Sequence, residues 1–511
     1  MTPRTLKDAS VLVVGAGIMG VGIAQIAAQA GHRVQLFDAR DGAAQQAARK
    51  LGSTLDALVA KGKLGADEAE STLSRIEPLG ALEEMDKTRL VIEAIVEELD
   101  AKRALFQQLE SMLGSDCILA TNTSSISVTA IANGLEHPGR LVGMHFFNPV
   151  PLMKLVEVVS GLHTDAAVAA AIFDLSRQWG KTPVHARSTP GFIVNRIARP
   201  YYAEALGLLL EQAATPQVLD ACLRAAGFRM GPCELMDLIG HDTNFAVTQS
   251  VYQANFFDKR YSPSLVQREM VDGGLLGRKS GRGFYRYQGE GSGVPPLPVA
   301  VHEAPTTAGE VTVHGMGMIA DFLDYAATRT LASQGWGPAR VHDSGWTGLA
   351  VDGARLVLTD GRCAADLSVE LGSADVAVFD RLLAMPTNGG GALAFAVAPR
   401  ASPAWSTQAA AWLAALGFAP LRVADSPGLV VARTVAMLIN EAADAVQQGV
   451  CTPDGADAAM KLGVNYPAGP FEWLESWRAL DVIAMLDALD AHYRGERYRA
   501  SPWLRRQGRL A

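Results

Sequence analysis

One histidine and one glutamate stand out in an otherwise apolar stretch, MHFFNPVPLMKLVEV, which runs from residue 144 to 158. A single histidine among apolar residues is more often a hydrogen-bonded core residue than a catalyst. Imidazole nevertheless titrates near neutral pH, so His145 has the chemistry to take up or return a proton. A carboxylate such as Glu157 would stabilise the protonated ring and fix its tautomer. Whether the pair forms an acid–base unit depends on what the other segments bring to it.

A glycine motif near the start of the chain predicts a phosphate-binding turn. VLVVGAGIMG reads as a strand over 11–14 followed by Gly15, Gly17 and Gly20. These glycines would permit a tight turn, let the backbone approach a pyrophosphate and allow close helix–strand packing, respectively. The next strand, HRVQLFD, ends at Asp38, where an acid accepts a hydrogen bond from the ribose of NAD. Arg40 beside it leaves NADP open as an alternative.

Further strand-like segments predict a doubly wound, mainly parallel sheet. They are RLVIEAIV (89–96), CILAT (117–121), RLVGMHF (140–146) and LVEVV (155–159). Polar residues lie at or just after the ends of several of these strands, namely Glu97, Asn122–Ser125, His145 and Asn148. Ligands of such sheets bind at the carboxyl ends of the strands. Core packing alone does not explain polar residues at these positions, so they are candidates for the site.

Composition narrows the function classes. The chain has 511 residues, 49% of them hydrophobic, 19% charged, and a net charge of −8. This indicates a folded protein of about three or four domains and argues against a general nucleic-acid binder. The five cysteines are scattered, without a Cys/His cluster, so we expect neither disulfides nor a metal site. The early apolar run is broken by glycines, so we expect a cytoplasmic protein without a signal peptide or membrane span.

Taken together, the motifs resemble the L-3-hydroxyacyl-CoA dehydrogenase family. The resembling stretches cover roughly residues 8–287 and are GAGIMG, VIEAIVE, TNTSSISVT, HFFNPVPLMKLVEVV and STPGFIVNR. The resemblance implies NAD-dependent oxidation of an (S)-3-hydroxyacyl-CoA to the 3-ketoacyl-CoA. His145 would be the catalytic base, and Glu157 would orient its ring. Ser124 and Asn195 would hydrogen-bond the reacting oxygen or position the substrate.

The resemblance also implies where the cofactor and the CoA would bind. The expected NAD-binding residues are Gly15, Gly17, Ile18, Met19, Gly20, Asp38, Glu97, Lys102, Ser124 and Asn148. A helical insertion over about 39–75 would cover the CoA. Its lysines, Lys50, Lys61 and Lys63, are candidates for the CoA phosphates, but each is at least as well explained as an ordinary solvated lysine.

The second half of the chain repeats part of the first. ADSPGLVVARTVAMLINEAADAVQQG echoes RSTPGFIVNRIARPYYAEALGLLLEQ, and 237 positions separate Gly191 from Gly428. Asn195 corresponds to Ala432, and no equivalents of NTSS or HFFNP appear, so we expect a degenerate second Rossmann-like unit without an active site. Our structural hypothesis is that the duplicated helical domain supplies within one chain the partner surface that shorter family members obtain by dimerising.

The predicted fold is therefore an α/β Rossmann domain, an all-α domain, a degenerate Rossmann-like unit and a repeated all-α domain. The predicted boundaries are 1–188, 189–287, a linker over 288–307, 308–423 and 424–511. This layout resembles a subgroup that includes the 3-hydroxyadipyl-CoA and 3-hydroxybutyryl-CoA dehydrogenases of the phenylacetate-degradation type. With the first strand at about Ser10, we expect no N-terminal hydratase domain. The protein would act as a homodimer or as a pseudo-dimeric monomer.

Two rival functions share parts of this pattern. β-Hydroxyacid dehydrogenases that act on substrates without CoA have the same GxGxMG start, but those use a catalytic lysine on the helical domain. A retired dehydrogenase could bind NAD as a scaffold, as the degenerate second half illustrates. The combination of Ser124, His145 and Glu157 favours the hydroxyacyl-CoA reaction over both. The pattern does not set the acyl-chain length or say whether the far end of the acyl group is a carboxylate; Arg196 and Arg199 are candidates to bind one.

Overall fold

The computed structural model describes residues 6–287, 293–297, 300–332, 335–383 and 390–510. This part of the chain divides into two compact units. The first contains the described residues up to Arg196 together with Ala445–Val464. The second contains Ile197–Asp444 and the described residues from Asn465 onward. Residues 288–292 and 298–299 of the predicted linker lie outside the described residues.

The strands of the described chain alternate with helices in both halves. In chain order they are β1 (Ser10–Val14), β2 (Val34–Phe37), β3 (Ile76–Pro78), β4 (Thr88–Glu93), β5 (Ile118–Thr121), β6 (Leu141–Phe146), β7 (Leu155–Ser160), β8 (Thr182–Arg187), β9 (Val311–His314), β10 (Ala339–Val341), β11 (Gly348–Val351), β12 (Ala354–Leu358), β13 (Val376–Phe379), β14 (Ala392–Val397) and β15 (Ala419–Arg422).

The helices are α1 (Ile18–Gln29), α2 (Ala43–Ala60), α3 (Ala66–Ser74), α4 (Leu99–Met112), α5 (Val128–Ala132), α6 (Ala166–Gln178), α7 (Val194–Ile197), α8 (Arg199–Leu210), α9 (Pro216–Ala225), α10 (Pro232–Ile239), α11 (His241–Ala254), α12 (Leu265–Asp272), α13 (Met318–Leu331), α14 (Ala364–Glu370), α15 (Pro403–Ala415), α16 (Val431–Gln447), α17 (Pro453–Val464), α18 (Pro470–Ser476), α19 (Ala479–Tyr493) and α20 (Pro502–Leu510). None of the described helices is long and apolar enough to cross a membrane.

The sheet of the first unit confirms the predicted Rossmann fold. Its strands lie in the order β3-β2-β1-β4-β5-β6-β7-β8, and all neighbours are parallel except β6 and β7. Buried strands such as β1 read as continuous apolar runs because helices cover both faces of a parallel sheet. The predicted insertion after β2 consists of α2 and α3, which pack against each other.

The helical segment that follows residues 189–191 is broken near its start, just after Asn195 and Arg196. Both residues lie on the short α7, and α8 starts two residues after α7 ends. Pro200 explains the break, because its nitrogen carries no hydrogen to donate to the carbonyl oxygen of Arg196, four residues earlier. In the second copy Met437 occupies this position, and α16 runs unbroken.

The second unit holds the predicted degenerate Rossmann-like sheet, in the order β10-β9-β11-β12-β13-β14-β15. It departs from the first sheet at β11, which is antiparallel to both of its neighbours. The arrangement of β13, β14 and β15, antiparallel and then parallel, repeats that of β6, β7 and β8. The degenerate copy has therefore kept the half of the sheet that leads into the helical repeat.

Each helical repeat covers the sheet of the other half of the chain. In the first unit α17, from the second repeat, packs against β7 and β8. Its approach is close, because a Cβ atom on Gly463 would lie 2.7 Å from the side chain of Leu155. In the second unit the corresponding helix of the first repeat, α9, packs against β14. The two halves therefore exchange helices: a helix of each repeat packs against the sheet of the other half.

Buried ion pairs within the second unit show the same reciprocity. Glu204 of the first repeat accepts hydrogen bonds from Arg497 at 2.9 Å and from the Tyr498 hydroxyl at 3.0 Å. Its counterpart in the second repeat, Glu441, pairs with Arg260, and accepts a hydrogen bond from Tyr261 at 2.6 Å. These Arg-Tyr pairs are also 237 positions apart.

The reciprocal pairing has the form of an isologous dimer interface, in which one patch meets its own copy. Arg433 adds a further pair to Glu204 at 2.9 Å. Burial opposes ionisation of Glu204, but Arg497 and Arg433 outweigh it and lower the pKa of this carboxyl.

We predict that deleting residues 300–511 leaves a chain that is not stable as a monomer. The deletion removes α17 from β7 and β8, and it removes both arginine partners of the buried Glu204. The deletion also exposes the surfaces that these segments cover, which favours self-association. Light scattering and thermal unfolding should show aggregation or self-association and a lower melting temperature. A truncated chain that is monomeric, active and as heat-stable as the full chain would contradict the structural role of the second half.

Candidate active site

The turn between β1 and α1 has the shape that the glycine motif predicted. Gly15 has φ +106°, and a Cβ atom there would lie 2.4 Å from the carbonyl oxygen of Ala94. A Cβ atom on Gly20 would lie 1.8 Å from the Gly15 oxygen, whereas one on Gly17 would meet open space. Gly15 and Gly20 are therefore required by the turn itself, and Gly17 borders open space. Ile18, at the start of α1, is 79% exposed beside this space.

Asp38 follows β2 and is held against the same turn. Its carboxylate accepts a hydrogen bond from the Ala16 N–H at 2.8 Å and pairs with Arg40 through two guanidinium nitrogens. The hydrogen bonds from Arg40 lower the pKa of Asp38 to about 2. The side chain is therefore anionic at physiological pH, which suits a ribose hydroxyl and repels a 2′-phosphate.

Glu97 organises the loop that follows β5. One of its oxygens accepts hydrogen bonds from the Thr123 hydroxyl at 2.7 Å and from the N–H groups of Ser124 at 2.8 Å and Ser125 at 3.1 Å. Its other oxygen lies 3.2 Å from Lys102 Nζ. Burial opposes ionisation of Glu97, but Lys102 and these hydrogen bonds outweigh it and lower the pKa.

Lys102 is 1% exposed, so its ammonium group supports this loop from the protein interior through Glu97. Sequence reasoning missed its main partner, Glu93, whose carboxylate lies 2.6 Å from Lys102 Nζ. Glu93 also accepts a hydrogen bond from the Thr121 hydroxyl at 2.7 Å. The predicted strand over 89–96 hid this residue, because the strand in fact ends at Glu93.

His145 and Glu157 are direct partners across the antiparallel pair β6 and β7. His145 Nδ1 lies 2.5 Å from Glu157 Oε2, and both side chains are buried. The other Glu157 oxygen accepts hydrogen bonds at 3.0 Å from the N–H groups of Ile193 and Val194. The carboxylate is thereby fixed on one side by the histidine and on the other by the backbone entering α7.

The remaining predicted residues also lie in the first unit. Asn195 Nδ2 lies 3.4 Å from the Ser124 carbonyl oxygen, so α7 and the loop after β5 meet. Asn122 Oδ1 accepts a hydrogen bond from Phe146 N–H at 2.9 Å and ties that loop to the end of β6. Asn148 is exposed in the loop after β6, and Met19 is partly buried at the start of α1.

The candidate CoA lysines lie on or just after the insertion's first helix. Lys50 is on α2, whereas Lys61 and Lys63 follow its end, and all three are exposed. The two arginines considered for a distal carboxylate are buried instead. Arg196 donates a hydrogen bond to Gln448 at 2.8 Å, and Arg199 donates one to Thr248 at 3.1 Å.

The corresponding position in the second unit has lost the histidine. The register of β13 with β14 places Asp380 where β6 has His145, opposite Ala394 in place of Glu157. Asp380 itself accepts hydrogen bonds from the N–H groups of Val430, Val431 and Ala432 at 2.7–2.9 Å. The second unit therefore retains the hydrogen bonds from the start of the helix to a carboxylate, but it has no histidine at this position.

The nucleotide turn of the second unit has changed as well. The Gly15 N–H donates to the oxygen of Phe37, and the Gly315 N–H donates to that of Val341. This matches Asp38 to His342, so the acid that would bind a ribose is absent from its expected position.

A glycine turn for a dinucleotide, an acid for its ribose and a buried His–Glu pair at the same sheet edge define an NAD-dependent dehydrogenase. Comparison with known proteins makes the class specific. The protein-family model of the 3-hydroxyacyl-CoA dehydrogenase NAD-binding domain matches residues 10–189. The family model of the C-terminal domain matches residues 191–287 and again residues 428–510. A third model, the reduced Rossmann-fold domain of 3-hydroxybutyryl-CoA dehydrogenase, matches 356–427.

The chain belongs to the 3-hydroxyacyl-CoA dehydrogenase family. It is 42% identical to the 3-hydroxyadipyl-CoA dehydrogenase of Escherichia coli K12, over 98% of both chains. The crystal structure of 3-hydroxybutyryl-CoA dehydrogenase from E. coli K12 superposes with a TM-score of 0.87, at 42% identity and 98% coverage of both chains. The 3-hydroxybutyryl-CoA dehydrogenase of Clostridioides difficile is 41% identical, and matches 54% of this chain and 98% of its own length.

We predict that the substitution His145→Gln lowers kcat by about 10²–10⁴-fold and leaves NAD binding intact, because it removes a general base without touching the glycine turn. NADH formation and a separate titration of NADH fluorescence measure the two effects. The exposed His137, changed to Gln, is the matched control and should retain activity. Unchanged turnover in the H145Q variant would exclude His145 as the base.

A second prediction concerns Lys181, which holds the loop after β6. Its ammonium group donates hydrogen bonds to the carbonyl oxygens of Val150 and of Met153, the latter at 2.8 Å. Burial, with a smaller contribution from Lys154, lowers the pKa of Lys181 to about 8. An unfolded lysine titrates near about 10.4, so between these values the unfolded chain binds more protons.

The free energy of unfolding of the wild type, relative to that of Lys181→Met, should therefore increase as the pH rises from about 8 to about 10. Urea unfolding of both proteins across this range tests it, with the exposed Lys50→Met as control. A difference that is flat or shrinks with pH would contradict the assignment.

Proposed function

We propose that this protein oxidises (S)-3-hydroxyadipyl-CoA to the 3-keto product with NAD⁺. The observation that carries the reaction is the buried pair of His145 and Glu157 at 2.5 Å, at the edge of the sheet that also bears the glycine turn. An alcohol oxidised by hydride loss must also lose its hydroxyl proton, and a neutral imidazole is suited to accept it near pH 7.

The His–Glu geometry assigns a role to each ring nitrogen. Glu157 engages Nδ1, so the proton of the substrate 3-hydroxyl passes to Nε2 of His145. The imidazolium formed is stabilised by the Glu157 carboxylate. Two backbone N–H groups hold that carboxylate, so the ring keeps its orientation when its charge changes. In the reverse direction Nε2 returns the proton to a 3-keto oxygen.

The residues of the first unit fit the cofactor. When bound, NAD⁺ supplies the acceptor for the hydride from C3 of the substrate. The open space at Gly17 and the N-terminus of α1 would receive its pyrophosphate, and Asp38 would accept from the adenosine ribose. Glu97 and Lys102 support the loop bearing Ser124, which would lie against the nicotinamide end. Ser124 and Asn195, on two elements that meet, would position the substrate oxygen.

Substrate choice rests on the relatives. The E. coli protein that matches the full length of this chain carries the name 3-hydroxyadipyl-CoA dehydrogenase, and half-length relatives carry the name 3-hydroxybutyryl-CoA dehydrogenase. Arg196 and Arg199 are engaged inside their own units, so neither supports recognition of a distal carboxylate. Lys50, Lys61 and Lys63 are proposed to meet the CoA phosphates, which a loss of CoA affinity on charge removal would test.

The pseudo-dimeric arrangement is proposed to make a second subunit unnecessary for the fold. The reciprocal pairs of Glu204 and Glu441 supply within one chain the contacts of a two-fold interface. Light scattering of the full chain tests this, and an obligate dimer would contradict it. The five cysteines, all within the described residues, form no disulfide, which supports a reducing cytoplasm as the location.

We predict at least a tenfold higher kcat/KM for 3-hydroxyadipyl-CoA than for (S)-3-hydroxybutyryl-CoA, equivalent to about 1.4 kcal/mol. Steady-state NADH formation with both substrates measures the ratio. The opposite preference would make the protein a short-chain enzyme of the same reaction class. Absence of NADH with either substrate would contradict the proposed reaction itself.

A further inference from the structure

Three side chains with metal-binding atoms converge in the second unit, within the degenerate Rossmann-like half and the helix beside it. The Cys363 sulfur, an Asp366 carboxylate oxygen and a His492 ring nitrogen all lie within 4.8 Å of one another. Cys363 Sγ and His492 Nδ1 are 4.0 Å apart. Nothing in the proposed dehydrogenase reaction uses these residues.

Two of the three ligands are fixed by the first turn of one helix. Cys363 caps α14, and Asp366 stands three positions later, where residues of a helix share a face. The start of α14 is held in turn by Asp425, whose oxygens accept hydrogen bonds from the N–H groups of Ala364 at 2.7 Å and Ala365 at 2.8 Å. The helix start is thus anchored from a different segment of the chain.

The third ligand is brought in by close backbone packing. Gly361 has φ +104°, and a Cβ atom there would lie 2.7 Å from the carbonyl oxygen of Met485 and 2.9 Å from Ala488 Cβ. Only glycine lets the loop before α14 approach α19 this closely. His492 stands near the end of α19, so this contact sets its distance from Cys363.

We propose that Cys363, Asp366 and His492 bind a zinc ion. Thiolate, imidazole and carboxylate are the ligands that zinc takes in proteins, and magnesium and calcium instead prefer sites built from oxygen alone. Zinc–sulfur and zinc–nitrogen bonds in a tetrahedron put the two atoms about 3.6 Å apart, so the observed pair needs to close by about 0.4 Å. Asp366 and His492 are exposed and free to make this adjustment, and water completes the tetrahedron.

A reactive thiol is the main alternative role for this cluster, and the surroundings of the sulfur oppose it. Burial, and then the carboxylates of Asp425 and Asp366, raise the pKa of Cys363 to about 12. A thiol of this kind is a poor nucleophile at neutral pH. A divalent cation reverses the balance, because it replaces the thiol proton, which passes to solvent, and it offsets the neighbouring negative charges.

Cobalt(II) is the probe for the test, because its bond to a thiolate gives a near-ultraviolet charge-transfer band. The full chain, freed of metal by a chelator and titrated with Co²⁺, should develop this band at one equivalent and lose it when Zn²⁺ is added. Cys363→Ser should abolish the band. His492→Ala, at an exposed position that should not affect folding, should weaken Zn²⁺ affinity at least tenfold in competition with a chromogenic chelator.

Cys451→Ser is the matched control and should bind both metals like the wild type, since the cluster does not include Cys451. Thermal unfolding of each metal-free variant verifies that it is folded. The proposal is overturned if the wild type shows no thiolate band, or if folded H492A binds Zn²⁺ as tightly as the wild type. Retention of dehydrogenase activity in H492A would show that the site is separate from the reaction.

Discussion

The Glu157 carboxylate is the interaction on which the active site depends. It joins three things that the chain brings together from separate places: its own strand β7, the His145 ring on β6, and the backbone N–H groups that begin α7. A buried carboxylate is tolerated only when its lone pairs are satisfied and its charge is paired. The His145 ring, the sheet and the backbone that enters α7 are therefore held in one arrangement.

The second unit has the same strand arrangement without the histidine. Asp380 stands at the position of His145, and its oxygens accept the backbone hydrogen bonds that Glu157 accepts in the first unit. Burial raises the pKa of Asp380 to about 6, and the backbone N–H groups counteract that shift. The carboxylate that holds the helix start is thus on β7 in the first unit, whereas in the second unit it follows β13, the counterpart of β6. A buried carboxylate thus anchors the start of the helix in both halves, whereas the His–Glu pair that we propose for proton transfer occurs only in the first.

Duplication also accounts for the ion pairs in the second unit. Each repeat presents a buried glutamate to the Arg-Tyr pair of the other, as two subunits would across a two-fold axis. This chain contains both sets. The degenerate Rossmann-like unit has a structural role in this chain, because helix α9 of the first repeat packs against its sheet.

Much of the candidate site could be predicted from the sequence, because glycine turns, strand ends and a His–Glu pair leave local patterns that are recognisable along the chain. The glycine motif, Asp38 and the repeat are of this kind. The break at Pro200 is also encoded locally, but the apolar run on either side of it masks it. Glu93 stays hidden because the predicted strand runs three residues past the true end of β4.

Other features were decided only by tertiary structure. The exchange of helices between halves, the pairing of Glu204 with Arg497 and the place of Asp380 depend on strand register and on packing between distant segments. Cys363 and His492 are 129 positions apart, and no spacing rule joins them. The sequence determines which side chains exist and which local turns they favour. Their meeting is determined by close backbone packing, such as that at Gly361, which acts in three dimensions and leaves no periodic trace along the chain.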